Sequence, residues 1–223
     1  MSSEFFRNIY IRENKQRIMC FQKLKALFAE PSKFFKEVSK EKKYWTVLKF
    51  FVMIYLAALV IQILASIPVT YGTPIFLYST LITLFVGIFA AFVSPFVGST
   101  LSHLGIMILG GKKGFFNTFK AVTYGNLIIV GYGILSSLIS LILFLLKIEG
   151  NPASVILMSL ITIAGVVHML ITSSIGVSMY HSISKVRAFF GIVLIPLILI
   201  IISVIAFVII SMLIQSSIVP EVI

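Results

Sequence analysis

Acidic side chains are scarce in this chain of 223 residues: seven Asp and Glu stand against 18 Lys and Arg. Charge of either sign is missing altogether from Phe50 to Gly111, from Ala121 to Leu146, from Gly150 to Ser184 and from Ala188 to Pro220. Uncharged gaps of that length exclude a soluble domain, whose surface would then be apolar. They also leave no buried carboxylate or mid-span cation for a proton-coupled pump or a classical carrier to use. Cysteine is nearly absent too. Cys20 alone permits no intrachain disulfide, and it is expected on the reducing cytoplasmic side.

What remains is apolar: 59% of residues are hydrophobic and the mean hydropathy is +1.11. A transmembrane helix needs about 20 such residues. Pro68 and the Tyr71-Gly72-Thr73-Pro74 cluster divide the first gap. The spans expected are 47–67, 75–109, 121–146, 153–182 and 188–213. The second is kept whole, kinked or tilted near Ser94-Pro95, because cutting at Pro95 leaves too short a remainder to cross. Twelve basic residues precede the first uncharged run at Phe50, Lys112, Lys113 and Lys120 follow the second span, and Lys185 and Arg187 follow the fourth; only Lys147 falls in an opposite-side loop. Positive charge gathers on the cytoplasmic side. The expected fold is therefore all-α: a polytopic membrane helical bundle of five transmembrane helices, N-terminus cytoplasmic and C-terminus outside. Six spans would send one of the basic loops outward. The first span is not read as a cleaved signal peptide, since a charge-rich segment precedes it.

Three parts follow: a basic amphipathic head (1–46), a membrane domain (47–214) and a short outer tail (215–223). In the head, Met19, Leu24, Leu27 and Phe28 precede Glu30-Pro31, and Phe34, Phe35 and Val38 follow it. Two short amphipathic helices lying on the inner leaflet are expected, held by anionic lipid headgroups at about 1 kcal/mol per basic group. A cytosolic or membrane protein partner is a second expectation. Nucleic acid is not, because no stacking pattern accompanies the charge.

The stretch Gly110 to Lys120 repeats this pattern as a loop, with Phe115, Phe116 and Phe119 for the interface and Lys112, Lys113 and Lys120 for phosphates. With Lys185 and Arg187 these are the candidate lipid or partner contacts. A phosphate-binding P-loop is excluded, since glycine is missing at Ile106 and a hydroxyl at Lys113. The candidate intramembrane polar contacts are His103, Asn126, His168 and His181, and an interhelical hydrogen bond is the expectation for each histidine. His168 and His181 lie about 20 Å apart along one helix and cannot share an ion, whereas His103 and His181 share the inner leaflet. No metal site, cofactor or catalytic residue is expected: carboxylates and further thiols are lacking nearby, and Ser99 near His103 has no third group to orient it. Gly87 with Ala91, Gly98 with Ser102, Gly133 with Ser137, and Ser174, Ser178 and Ser182 read as bundle packing.

Several segments carry a family resemblance. Leu27-Phe28-Ala29-Glu30-Pro31-Ser32-Lys33-Phe34-Phe35, Leu101-Ser102-His103 leading to Leu109-Gly110-Gly111-Lys112-Lys113-Gly114-Phe115-Phe116-Asn117-Thr118-Phe119, and Ala121-Val122-Thr123-Tyr124 resemble the Yip family of five-span membrane proteins. Ser182 to Ala188 and Ile195-Pro196 are similar to its segment joining helices four and five. One departure is Gly125-Asn126-Leu127-Ile128, where the family often has proline. The resemblance spans roughly 25–210. It implies a non-enzymatic scaffold or membrane-organising factor acting through its basic cytoplasmic face. Eukaryotic members reside in Golgi and endoplasmic reticulum and interact with Rab-type GTPases; the short outer loops here look more like the prokaryotic branch, which implies the plasma membrane. A transporter or channel for a small or amphipathic solute is the alternative, with Gln62, Asn126, His103 and His168 along its path and Pro95 marking a broken helix.

Overall fold

The computed structural model describes residues 21–74, 76–148 and 150–218, with side chains except at 69, 70 and 213–218. Cys20, Met19 and the tail residues 219–223 lie outside the described residues. Seven helices and no strands are seen among those described: α1 (residues 21–29), α2 (Pro31–Val38), α3 (Tyr44–Thr70), α4 (Phe76–Ile108), α5 (Phe115–Leu145), α6 (Pro152–His181) and α7 (Lys185–Ile218). The last five are long and apolar enough to cross a membrane. They match the five spans expected, and α4 is one helix with Pro95 inside it.

The largest difference lies at α5. It starts at Phe115, not Ala121, so the basic loop is only the turn between Ile108 and Phe115. Gly110, at φ +90°, ends α4 in the left-handed region that glycine adopts without strain, and Gly114 leads extended into α5. Ser182, also left-handed at φ 56°, closes α6 and turns the chain into α7.

Helix α5 is central, packed on α3, α4 and α6, while α7 leans on α4 and α6. The α4–α7 crossing is set by two glycines. A Cβ on Gly191 would lie 3.0 Å from Ile106 Cα, and one on Gly105 would strike the Gly191 carbonyl. Ala188 and Ile192 are buried there, whereas from Leu197 to Ile210 every α7 side chain is exposed. Ser203, the one polar side chain there, donates to the Leu199 carbonyl at 2.8 Å, and a helix surface so apolar with no protein around it belongs in lipid.

The head does not simply lie on a leaflet. Leu27, Phe34, Phe35 and Val38 join the bundle core, each at most 2% exposed. Phe34 meets Tyr124 of α5 edge-on at 5.0 Å; Phe35 packs on Gly176 and Tyr180 of α6, and the Tyr180 hydroxyl donates to the Phe35 carbonyl at 2.8 Å. Phe28 packs against Gly131 and, edge-on at 5.7 Å, against His168. The physical reason is length. At 33, 31 and 30 residues, α4, α5 and α6 rise about 45–50 Å, against a hydrocarbon core of about 30 Å. The surplus length leaves helix surface on which the amphipathic head packs, and Phe28 reaches as far as Gly131, midway along α5.

Candidate functional site

Two polar networks and a set of exposed cations occupy the head-bearing end of the bundle. The first network centres on Glu41, just after α2. Its carboxylate accepts from the Tyr124 hydroxyl at 2.6 Å and from the Lys23 ammonium at 2.9 Å, so one acid ties both head helices to α5. Lys120 enters from the other side. Its ammonium donates to the Ser39 and Glu41 carbonyls, each at 3.2 Å, and faces the rings of Tyr180 at 4.5 Å and Phe116 at 5.2 Å.

That geometry corrects two expected surface contacts. Lys120 is 2% exposed and Phe119 is fully buried, so neither faces lipid phosphates or the interface. Because α5 begins at Phe115, both sit in its second turn and point into the bundle. A buried ammonium needs acceptors or aromatic faces, and the head supplies the carbonyls. Phe115 and Phe116 are half-buried, gathered with Phe119 around Tyr44.

The second network brings His103 and His181 together as the shared leaflet suggested. The Thr118 hydroxyl lies 2.8 Å from His103 Nδ1 and 2.9 Å from His181 Nε2, linking α4, α5 and α6. A hydroxyl has one proton to give, so it donates to one ring and accepts from the other. His181 Nδ1 is buried with no partner among the described residues. A bare lone pair is tolerated there better than an orphaned N–H. The favoured arrangement therefore has His181 Nε2–H donating to Thr118 and Thr118 donating to His103 Nδ1. Ser99 Oγ is buried with no hydrogen-bond partner among the described residues. His168 lies 3.5 Å from the Tyr132 hydroxyl, at the limit of a hydrogen bond, and Asn126 lies beside Gly98 of α4. Gln62 lies against Gly133 of α5, so the four polar groups of the transport alternative each meet a different neighbour.

A family model described as the Yip1 domain matches residues 25–208. The chain belongs to the Yip1 domain family. No curated protein and no solved structure matches it. With its five long apolar helices, this Yip1 domain protein is an integral membrane protein. The family match opens within α1, so the docked head belongs to the Yip1 domain along with the bundle.

Four cations of the candidate set remain outward: Lys112 and Lys113 in the turn before α5, and Lys185 and Arg187 at the start of α7. Lys25, Lys33, Lys36, Lys40, Lys42, Lys43 and Lys49 are exposed beside them. Only two ion pairs occur among the described residues, Lys23 with Glu41 and a loose Lys33–Glu30 contact at 3.6 Å. Glu41, Tyr124, Tyr180 and Thr118 were not singled out from the sequence. A lone acid inside Lys40-Glu41-Lys42-Lys43 was the available signal for the first, and Tyr124 lies in the quoted family segment.

Proposed function

We propose that this Yip1 family protein is a non-enzymatic membrane scaffold whose basic face, built from the head and the α4–α5 and α6–α7 turns, lies in the cytoplasm and engages anionic lipid headgroups or an acidic protein partner. The observation that carries this reading is the direction of the docked head. Its apolar face is consumed by α5 and α6, which leaves its lysines pointing outward at the same end as Lys112, Lys113, Lys185 and Arg187. Cations so arranged add at about 1 kcal/mol each against an anionic surface.

Charge reversal tests it. Lys112→Glu with Lys113→Glu is expected to leave the melting temperature of the purified protein unchanged, since exposed charges without partners contribute less than about 1 kcal/mol to stability. Recovery of anionic lipids or acidic cytosolic proteins with the variant should nevertheless fall several-fold. Unchanged melting with unchanged co-purification would make the turn a mere connector and remove the best-placed part of the face.

A further inference from the structure

Beside the turn that joins α6 to α7, a groove of about 310 Å³ lies between the two helices. Ile171, Ser174 and Ile175 line it from α6, and Lys185, Val186 and Phe189 from α7. Each trio follows helical spacing, so one face of each helix forms a wall. Ile171 stands ten residues before α6 ends at His181, so the groove runs about 15 Å inward, half of a hydrocarbon core of about 30 Å. Ala188, Gly191 and Ile192 seat α7 on α4. The groove residues lie about a third of a turn around α7 from those three, which leaves their face to form a cleft with α6.

The walls are hydrocarbon and the mouth is cationic. Ser174 is buried and its hydroxyl donates to the Leu170 carbonyl at 2.6 Å, so it asks nothing of a ligand. Ile171 and Val186 stand at the rim, 52% and 65% exposed, and the cleft opens sideways between them. At the turn end is Lys185, exposed and in no ion pair among the described residues. It is the first residue of α7, at the positive end of the helix dipole. Arg187 stands about 200° around the helix from it and does not line the groove. The surface alongside stays apolar up to the turn, with Met179 of α6 and Phe190 of α7 exposed. Lipid therefore covers this side of the bundle as far as the turn, which puts the Lys185 ammonium at headgroup level.

We propose that this groove seats one acyl chain of an anionic phospholipid whose headgroup phosphate is held by Lys185. The inference rests on the proposed function and deepens it, because it gives the basic face one defined lipid site. Charge complementarity selects this occupant: a hydrocarbon cleft with a cation at its mouth matches the order of parts in such a lipid. An acidic peptide would leave its backbone polar groups unpaired against these walls. The volume is that of a small-ligand site, which begins near about 300 Å³.

The test uses the whole protein in a non-ionic detergent, with native mass spectrometry to count retained lipid. Dioleoyl-phosphatidylglycerol is compared with dioleoyl-phosphatidylcholine, which lacks the net charge, and with dihexanoyl-phosphatidylglycerol, which lacks the long chain. Wild-type protein is expected to keep one dioleoyl-phosphatidylglycerol in preference to both. Lys185→Gln should lower that retention about fivefold, equivalent to about 1 kcal/mol, and Arg187→Gln by less than about twofold. Ile171→Trp, which fills the cleft from its exposed rim while Lys185 stays, should lower it as much as Lys185→Gln. These side chains are exposed, so melting should not change. Equal losses in Lys185→Gln and Arg187→Gln overturn the proposal, as does equal retention of the short-chain lipid or undiminished retention by Ile171→Trp. A dimer that disappears in Ile171→Trp overturns it too, since a second copy would then cover the groove. Failure of the wider face reads differently. If Lys112→Glu with Lys113→Glu sheds co-purified lipid while Lys185→Gln keeps its one lipid, only the groove is overturned; if the pair sheds nothing and Lys185→Gln does, the groove stands without the face.

Discussion

Alanine at both Phe34 and Phe35 is expected to unseat the head while the five spans stay folded. Both rings are fully buried between α5 and α6. Truncating a buried phenylalanine costs about 3–5 kcal/mol, and the pair removes more than a short two-helix segment can spare. The electrostatic tie is weaker. Glu41→Ala leaves the Tyr124 hydroxyl without its charged acceptor, about 1.5–3 kcal/mol, and the half-exposed Lys23 adds a few tenths after solvent screening. Amide hydrogen exchange reads both changes. In Phe34→Ala with Phe35→Ala, α1 and α2 should exchange at the rate of an unprotected peptide while the cores of α3 to α6 keep their protection. Glu41→Ala should raise exchange in the head only partly. Full protection in the double variant would mean that the leaflet, and not the bundle, holds the head.

Valine at Gly105 is expected to have the larger effect on the bundle itself. A Cβ there falls onto the Gly191 carbonyl, and the neighbouring approach of Gly191 to Ile106 is a backbone contact as well. A flexible side chain can move aside, but two helix backbones cannot without separating. Overpacking of this kind costs about 3 kcal/mol or more. Detergent-solubilised Gly105→Val should melt well below wild type and lose its single gel-filtration peak as α7 detaches from α4. Gly114→Ala is the control. Nothing lies within 4 Å of that position and its φ is −62°, so melting should shift little. A wild-type melting curve for Gly105→Val would show that α4 and α7 do not cross there.

The five spans were legible because hydropathy acts on every residue in them, and one charged group in 20 already breaks the signal. The start of α5 was not, since Asn117, Thr118 and Lys120 interrupt the apolar run at its first two turns. Burial of Lys120 depends on carbonyls of Ser39 and Glu41, some 80 residues away in the chain, and no local pattern announces such partners. The head shows the same limit. Amphipathic spacing tells which face of α2 is apolar, but a leaflet and a protein flank satisfy it equally. His103 and His181 were readable as neighbours from their depth alone; Thr118 between them was hidden because it had been placed in a loop. The packing pairs Gly87 with Ala91 and Gly133 with Ser137 follow a four-residue spacing. Gly105 and Gly191 stand on different helices, and only the three-dimensional crossing joins them.

In the proposed orientation the head, the α4–α5 turn and the α6–α7 turn present one cytoplasmic basic face, with Lys147 across the membrane. Single cysteines at Lys36, Lys113, Lys185 and Lys147, in a protein lacking Cys20, test it in sealed cells with a membrane-impermeant maleimide. Lys147→Cys should label from outside, and the other three only after the membrane is opened. Labelling of Lys113→Cys or Lys185→Cys from outside, or of all four from the same side, would contradict both the topology and the single face built on it.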